Sequence, residues 1–86
     1  MRVRVFVSGR NYDLADSLPE HLMLPEGASV DDALRALVGC IPKNRSLPGS
    51  CLIAVSGTHL GSLQQHRPQL LKDGDELLVL SPVAGG

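Results

Sequence analysis

The stretch from Leu77 to Leu80 constrains the fold of this chain more than any other, because it is apolar at every position. A strand of this kind is typical of a sheet interior, where it is buried on both faces or paired on both sides. Directly before it, Asp73-Gly74-Asp75 predicts a tight turn, since glycine can adopt a positive φ and the carboxylates can accept backbone N–H groups. The acidic residues lack the spacing of an EF-hand loop, so a turn is predicted here in preference to a cation site. We therefore expect a final strand, from Glu76 to Leu80, that enters the sheet interior from this turn.

Four earlier stretches have the short apolar or alternating patterns of β-strands. They are Arg2 to Ser8, Glu20 to Leu24, Leu52 to Val55, and Thr58 to Leu60. In the first, Val3, Val5 and Val7 share one face, which we expect to be buried, whereas Phe6 lies on the opposite face with the arginines. A long, irregular loop is expected to join the first two strands as a hairpin.

One helix is predicted from about residue 30 to residue 39. Ser29 and Asp32 have the spacing of a capping box, and Gly39 marks the end of the helix. Apolar residues recur at the helical period and form one stripe. They are Val30, Ala33, Leu34, Leu37 and Val38. The stripe predicts that this helix covers one face of the sheet. Farther along, one helical turn around Leu63 to Gln65 is the most that the following proline allows.

Size and charge exclude several classes of function. Residues 1–80 are enough for one domain with one core, so a carrier or binding module is expected before an enzyme with an active site of its own. The net charge of −1 gives no field that would attract nucleic acid or an anionic membrane.

No run approaches the length of a membrane span, and the chain begins without a signal-peptide pattern, so we expect a cytoplasmic protein. Cys40 and Cys51 lack zinc-ligand spacing and are expected in or near the core, so no metal site is predicted.

The C-terminal third of the chain carries a family resemblance. The stretch Leu71 to Glu76, a short apolar strand and then Pro82 to Gly86 resemble the C-terminal signature of the MoaD/ThiS family of sulfur carriers. Leu24 to Val30, before the helix, and Ala54-Val55, before a turn, are also similar to family positions. The resemblance covers most of the chain. It implies an α+β protein with the β-grasp (ubiquitin-like) fold, in which a mixed sheet of four to five strands is covered by one helix and the first and last strands are parallel at its centre.

The same resemblance implies that residues 81–86 form a flexible tail and that its terminal carboxylate, on Gly86, is the reactive group. In the family, an E1-like adenylating enzyme of the MoeB or ThiF type converts this carboxylate into an acyl-adenylate, and a sulfur donor protein then leaves a thiocarboxylate. ATP and its metal belong to that enzyme, so no cofactor of this chain's own is implied. The implied site residues are Gly86, which carries the reactive carboxylate, and Gly85 before it. Neither has a side chain, so both can pass through a narrow tunnel.

The resemblance also implies docking partners. The ending Pro-Val-x-Gly-Gly favours the MoaD branch, in which sulfur goes to a pterin precursor in the large molybdopterin synthase subunit of the MoaE type. The long connection from Leu60 to Asp73 is nearer the ThiS pattern, whose partner is a thiazole synthase in thiamine synthesis. The implied partner-binding residues are an exposed apolar patch on the sheet and the first part of the tail. They are Phe6, Leu60, Leu80, Pro82, Val83 and Ala84.

Two alternatives from other classes stay open. A ubiquitin-like modifier would use the same activated carboxylate to form isopeptide bonds with lysines of other proteins. A non-covalent β-grasp interaction domain would not use the tail, and its binding would survive removal of Gly85 and Gly86.

Overall fold

The structure is a computed structural model that describes residues 1–8, 18–41 and 49–80. Within these ranges the chain forms one helix and five strands. They are β1 (Arg2–Ser8), β2 (His21–Met23), α1 (Val30–Gly39), β3 (Leu52–Val55), β4 (Thr58–Ser62) and β5 (Glu76–Leu80). The strands form one mixed sheet in the order β2-β1-β5-β3-β4, in which β1 and β5 are parallel and the other neighbours are antiparallel. The expected β-grasp architecture is confirmed.

The predicted position of the last strand inside the sheet is confirmed. In β5, Leu78 pairs with Phe6 of β1 on one side and with Ala54 of β3 on the other. Leu77 and Val79 point into the core and are fully buried. The strand is therefore paired on both sides and fully buried on the face of Leu77 and Val79, while Leu78 and Leu80 on the other face are partly buried.

The capping box at the start of α1 is also confirmed. Ser29 Oγ accepts the backbone N–H of Asp32 at 3.3 Å, and Asp32 Oδ2 accepts the backbone N–H of Ser29 at 2.9 Å. These contacts lower the pKa of Asp32 below its usual value, with the backbone N–H of Ser29 as the largest cause. The helix therefore begins at the predicted residue.

The apolar stripe of α1 packs on one face of the sheet and is narrower than predicted. Val30, Leu34 and Leu37 are buried, but Val38 is 53% exposed, so its place in the stripe was wrong. Eight residues at about 100° each place Val38 roughly 80° around the helix from Val30, at the edge of the covered surface. The expectation for Cys40 was also wrong. It lies just past the helix and is exposed, whereas Cys51 is buried in the core.

The segment after β4 turns without forming the predicted helical turn. Ser62 N–H donates to the carbonyl of Gln65 at 2.7 Å, and Ser62 Oγ accepts the N–H of Gln65 at 3.0 Å. His66 then folds back to form a bridge with Gly61, whose φ is 138°. This compact reversal explains why β4 continues two residues beyond its predicted end at Leu60.

Candidate functional site

Five of the residues expected to carry function lie outside the described residues. They are Pro82, Val83, Ala84, Gly85 and Gly86. The last described residue before this segment is Leu80. Leu80 ends the central strand β5, where it pairs with Ser8 of β1 and Leu52 of β3. The chain thus reaches residue 81 from a position fixed on both sides.

The turn before β5 fixes the other end of the central strand. Gly74 has a φ of 88°, as predicted from the Asp-Gly-Asp pattern. Asp75 Oδ2 accepts the backbone N–H of Lys72 at 2.8 Å, and its Oδ1 accepts the hydroxyl of Ser56 at 2.9 Å. Ser56 Oγ in turn accepts the backbone N–H of Glu76 at 3.1 Å. The carboxylate of Asp75 therefore holds the backbone of the turn in place. Across residues 1–8, 18–41 and 49–80, no group of three or more His, Cys, Asp or Glu side chains could hold a metal ion.

The face of the sheet opposite α1 carries a contiguous apolar patch. Its members come from the three adjacent strands β1, β5 and β3. They are Phe6, Leu52, Ala54, Leu78 and Leu80, and we call this set the apolar patch. Phe6 is 38% exposed and Leu52 is 42% exposed, while the other three are partly buried by their neighbours. Contiguous apolar surface often marks a site of protein–protein contact, so the patch is a candidate protein-binding surface.

The sheet register places the members of the patch side by side. Leu78 lies between Phe6 and Ala54, and Leu80 lies beside Leu52. Directly opposed residues of antiparallel strands have Cβ atoms about 4.5–5.5 Å apart, so the side chains of such pairs are in contact range. The patch reaches Leu80, the last described residue. A protein that covers the patch therefore also lies next to the point where the chain continues into residues 81–86.

Leu60 does not belong to this surface, and its assignment to the exposed patch was wrong. It is only 5% exposed and packs in the core. The β3–β4 pairing shifts between Ile53, which pairs with Gly61, and Ala54, which pairs with His59. Leu60 is the extra residue of this bulge, and its side chain faces the core.

Sequence reasoning placed Phe6 and Leu80 on this face of the sheet, where Phe6 is exposed and Leu80 is partly buried. It missed Leu52, Ala54 and Leu78. The all-apolar β5 contains no alternation that tells its covered face from its open one. A usable signal was nevertheless present, because Leu78 and Leu80 are two residues apart and must share a face. Once one helix is predicted to cover one face of the sheet, the other face is left open.

The histidines do not form a catalytic arrangement with a nucleophile in the described ranges. His66 is the most enclosed of the three, with Nδ1 at 2.9 Å from the carbonyl of Ser62 and Nε2 at 2.8 Å from Asp31 Oδ1. It joins the segment after β4 to the first turn of α1. This is a structural contact, and it lies on the helix side of the sheet, away from the apolar patch.

Comparison with known proteins gives three similarities that span nearly the whole chain. A family model described as the ThiS family matches residues 5–86. The molybdopterin synthase sulfur carrier subunit of Chlamydomonas reinhardtii is 27% identical over 89 residues, with full coverage of both chains. A solved complex of subunits 1 and 2 of the molybdopterin-converting factor from Helicobacter pylori 26695 contains a chain of 27% identity. It superposes with a TM-score of 0.57, again with full coverage of both.

No helix in the described ranges is long and apolar enough to cross a membrane.

Proposed function

The chain belongs to the ThiS family, and we propose that it is a sulfur carrier that works as the small subunit of a molybdopterin synthase. The family match supports the carrier chemistry. The similarity to a molybdopterin synthase sulfur carrier subunit and to a chain of a two-subunit converting factor supports the pathway. The observation that carries the proposal is the placement of Leu80, which is both a member of the apolar patch and the last residue before the glycine-ended segment.

The proposed chemistry takes place at the carboxylate of Gly86. An α-carboxyl group has a reference pKa of about 3.3–3.7, so at neutral pH it is ionised and resists attack by nucleophiles. An E1-like enzyme of the MoeB or ThiF type activates it. The carboxylate oxygen attacks the α-phosphate of ATP held by that enzyme, pyrophosphate leaves, and an acyl-adenylate forms. Sulfur at the sulfide oxidation level, delivered by a sulfur donor protein, then attacks the acyl carbon, and AMP leaves. The thiocarboxylate that remains transfers its sulfur in the large subunit of the synthase.

The length of the segment suits delivery into another protein. Six residues follow Leu80, and at roughly 3.3–3.6 Å per residue they span up to about 20 Å. Pro82 restricts its own φ and biases Ser81 toward an extended backbone, while Gly85 and Gly86 add no side-chain width. These residue types fit a narrow channel that leads to the nucleotide in one partner and to the pterin precursor in the other.

The apolar patch has an energetic role in this proposal. Fixing the backbone costs about 1–2 kcal/mol per residue, so ordering six residues costs on the order of 6–12 kcal/mol. Contacts made by the glycines alone are too small to offset that cost. Burial of Phe6, Leu52 and Leu78 against a partner contributes the apolar surface that the tail lacks. The same patch serves the adenylating enzyme and the large subunit in turn, because each must hold the body while it holds the tail.

Intact-mass analysis tests the carrier function directly. The chain is incubated with the MoeB-type enzyme of its organism, ATP and a sulfur donor. We expect the mass increase of one oxygen replaced by one sulfur, located at Gly86 by fragmentation. An unchanged mass, with enzymes that are active on their own carrier, would contradict the proposal. Isopeptide bonds from Gly86 to lysines of other proteins would identify a modifier instead.

A second assay addresses the pathway. The second candidate is a ThiS-type carrier for thiazole synthesis, because the family model that matches the chain is that of the ThiS family. The thiocarboxylated chain is offered separately to a MoaE-type subunit with its pterin precursor and to a thiazole synthase. Product in the first reaction supports the proposed pathway, whereas product in the second alone would replace it.

A further inference from the structure

The positively charged side chain of Arg4 lies against the apolar patch. The guanidinium carbon of Arg4 is 4.5 Å from the centroid of the Phe6 ring, a distance within the range of a cation–π contact. Both residues are on the open face of β1, where Arg4 is also the cross-strand neighbour of His21 and of Glu76. Arg4 is therefore part of the surface that a partner meets when it covers Phe6.

Among the described residues Arg4 forms no ion pair within 4.0 Å, although Glu76 lines the same surface depression and Glu20 lines a neighbouring one. Contacts shorter than 4.0 Å between basic and acidic side chains within the described ranges join Arg35 to Asp32 and His66 to Asp31, and neither includes Arg4 or Arg2. Two carboxylates of the turn before β5 are engaged elsewhere, since Asp73 accepts the backbone N–H of Arg2 and Asp75 accepts the hydroxyl of Ser56. The Arg2 guanidinium instead donates to His21 Nδ1 at 3.3 Å.

The side chains of Arg2, Arg4 and His21 line one shallow depression at the edge of the apolar patch. It has a volume of about 370 Å³ and is lined by Arg2, Arg4, His21, Asp73, Gly74 and Glu76. We call the part formed by Arg2, Arg4 and His21 the basic corner. It is continuous with the patch through the stacked pair of Arg4 and Phe6.

This continuity has an energetic consequence. A partner that excludes water from Phe6 also removes water from the guanidinium stacked on it. A charge that loses its hydration without gaining a counter-charge strongly opposes binding, whereas a charge-assisted hydrogen bond to a carboxylate compensates the loss. Arginine is among the residue types enriched at the fully desolvated positions that determine affinity.

We propose that the protein which covers the apolar patch presents an acidic side chain to Arg4, so that the basic corner selects partners with a carboxylate beside an apolar docking surface. The proposal rests on the proposed function for the identity of the partner, the MoaE-type large subunit. It goes beyond that function by assigning a charge to a specific position of the partner's surface. Arg2 and His21 extend the contact toward β2.

Affinity for the MoaE-type subunit of the same organism tests the proposal. We expect Arg4→Gln to weaken binding by about 30-fold or more, the range found when one member of a desolvated charge pair is removed. Arg35→Gln, a change of equal charge on the exposed side of α1, is the matched control and should bind like the unchanged chain. Arg4→Lys keeps the charge but loses the planar guanidinium over the ring. Its affinity should fall between that of Arg4→Gln and that of the unchanged chain.

A second change separates an internal counter-charge from the partner's. If Glu76 became the counter-ion of Arg4 in the complex, Glu76→Gln would weaken binding as much as Arg4→Gln does, and the proposal would be overturned. If the partner supplies the carboxylate, Glu76→Gln leaves affinity unchanged or raises it. An Asp or Glu to Lys change on the partner's docking surface should then restore the binding of Arg4→Glu.

The remaining outcomes are also decisive. If the unchanged chain binds and Arg4→Gln binds equally well, the basic corner is not part of the interface, while the proposed function stands. If inorganic phosphate binds the free chain at the corner and Arg4→Gln does not alter affinity for the large subunit, the corner is a small-anion site and the proposal fails. If the unchanged chain binds no MoaE-type subunit, the proposed function fails and this inference fails with it.

Discussion

The backbone N–H of Arg2 donates a hydrogen bond of 2.8 Å to Oδ1 of Asp73, which lies 71 residues later in the chain. The neighbouring Gly74 N–H donates back to the carbonyl of Arg2, also at 2.8 Å. This pair of contacts joins the first residue of β1 to the turn that precedes β5. It sets the register in which the two parallel strands meet, and hence the position of Leu80 at the end of the central strand.

We expect Asp73→Ala to lower the free energy of unfolding by about 1 kcal/mol, because the N–H of Arg2 loses its acceptor and is left to water. Asp73→Asn keeps an acceptor oxygen and should lose less. Urea unfolding followed by circular dichroism measures both. Equal stability of the alanine variant and the unchanged chain would show that this contact does not hold the strands in register.

Gly61→Ala should be strongly destabilising. A Cβ at this position would lie 2.5 Å from the carbonyl oxygen of Gln65 and 2.9 Å from Cα of His66, at a φ of 138°. Strain and clash together predict a loss of about 2 kcal/mol or more. Gly39→Ala is the control, since a Cβ there meets nothing within 4 Å, and it should be neutral or slightly stabilising in the helix. Thermal unfolding of the two variants in parallel would reveal the predicted difference, and similar melting temperatures would contradict it.

Local rules were enough to predict most of the fold. The capping box at Ser29 and the apolar stripe behind it defined α1, and the uninterrupted apolar run of β5 required the sheet interior. Each of these is a short-range pattern whose physical cause lies within a few residues. The parallel pairing of β1 with β5 was expected only through the family resemblance, because no local pattern specifies which distant strand is the neighbour.

The errors arose where packing at long range decides exposure. Leu60 was assigned to the exposed patch by the family resemblance, and the bulge in the β3–β4 pairing that turns it to the core cannot be seen in the sequence. Val38 was placed in the core because the width of the covered helix face depends on what lies opposite. Leu78 was overlooked for the same reason, since its exposure depends on the helix covering a single face. Alternation in β1 placed Arg4 and Phe6 on one face, but it did not predict that the guanidinium lies over the ring.

The stabilisation by Asp32 should depend on acid pH. Its pKa is lower in the folded protein than its usual 3.8, chiefly because the N–H of Ser29 favours the charged carboxylate. The stabilisation is therefore fully present above that usual value and is lost as the pH falls through the lower folded pKa. We expect Asp32→Asn to be less stable than the unchanged chain at neutral pH, with the difference shrinking as the solution becomes strongly acidic. Urea midpoints measured from pH 7 downward test this, and a constant difference at all pH values would oppose it.

The leucines at positions 52 and 60 should respond in opposite ways to truncation. Leu60 is buried, so Leu60→Ala is expected to cost about 2–5 kcal/mol of stability. Leu52 is 42% exposed, so Leu52→Ala should cost less than about 1 kcal/mol but should weaken binding to the large subunit. Unfolding and binding measured on the same preparations separate the two roles. A Leu52→Ala variant that binds normally would remove this residue from the docking surface.

The two terminal glycines should matter for chemistry and not for folding. Gly85→Val and Gly86→Val lie beyond the last hydrogen-bonded pair of β5, at Leu80, so we expect unfolding curves like those of the unchanged chain. A branched side chain at either position widens the segment that must enter the adenylating enzyme, and β-branching restricts the conformations it can adopt there. Thiocarboxylate yield should therefore fall to background. Ala84→Val, one residue earlier, is the matched control and should retain more activity, because that position already carries a Cβ. A normal yield from Gly86→Val would show that the narrow terminus is not required, and the argument for a tunnel would fail with it.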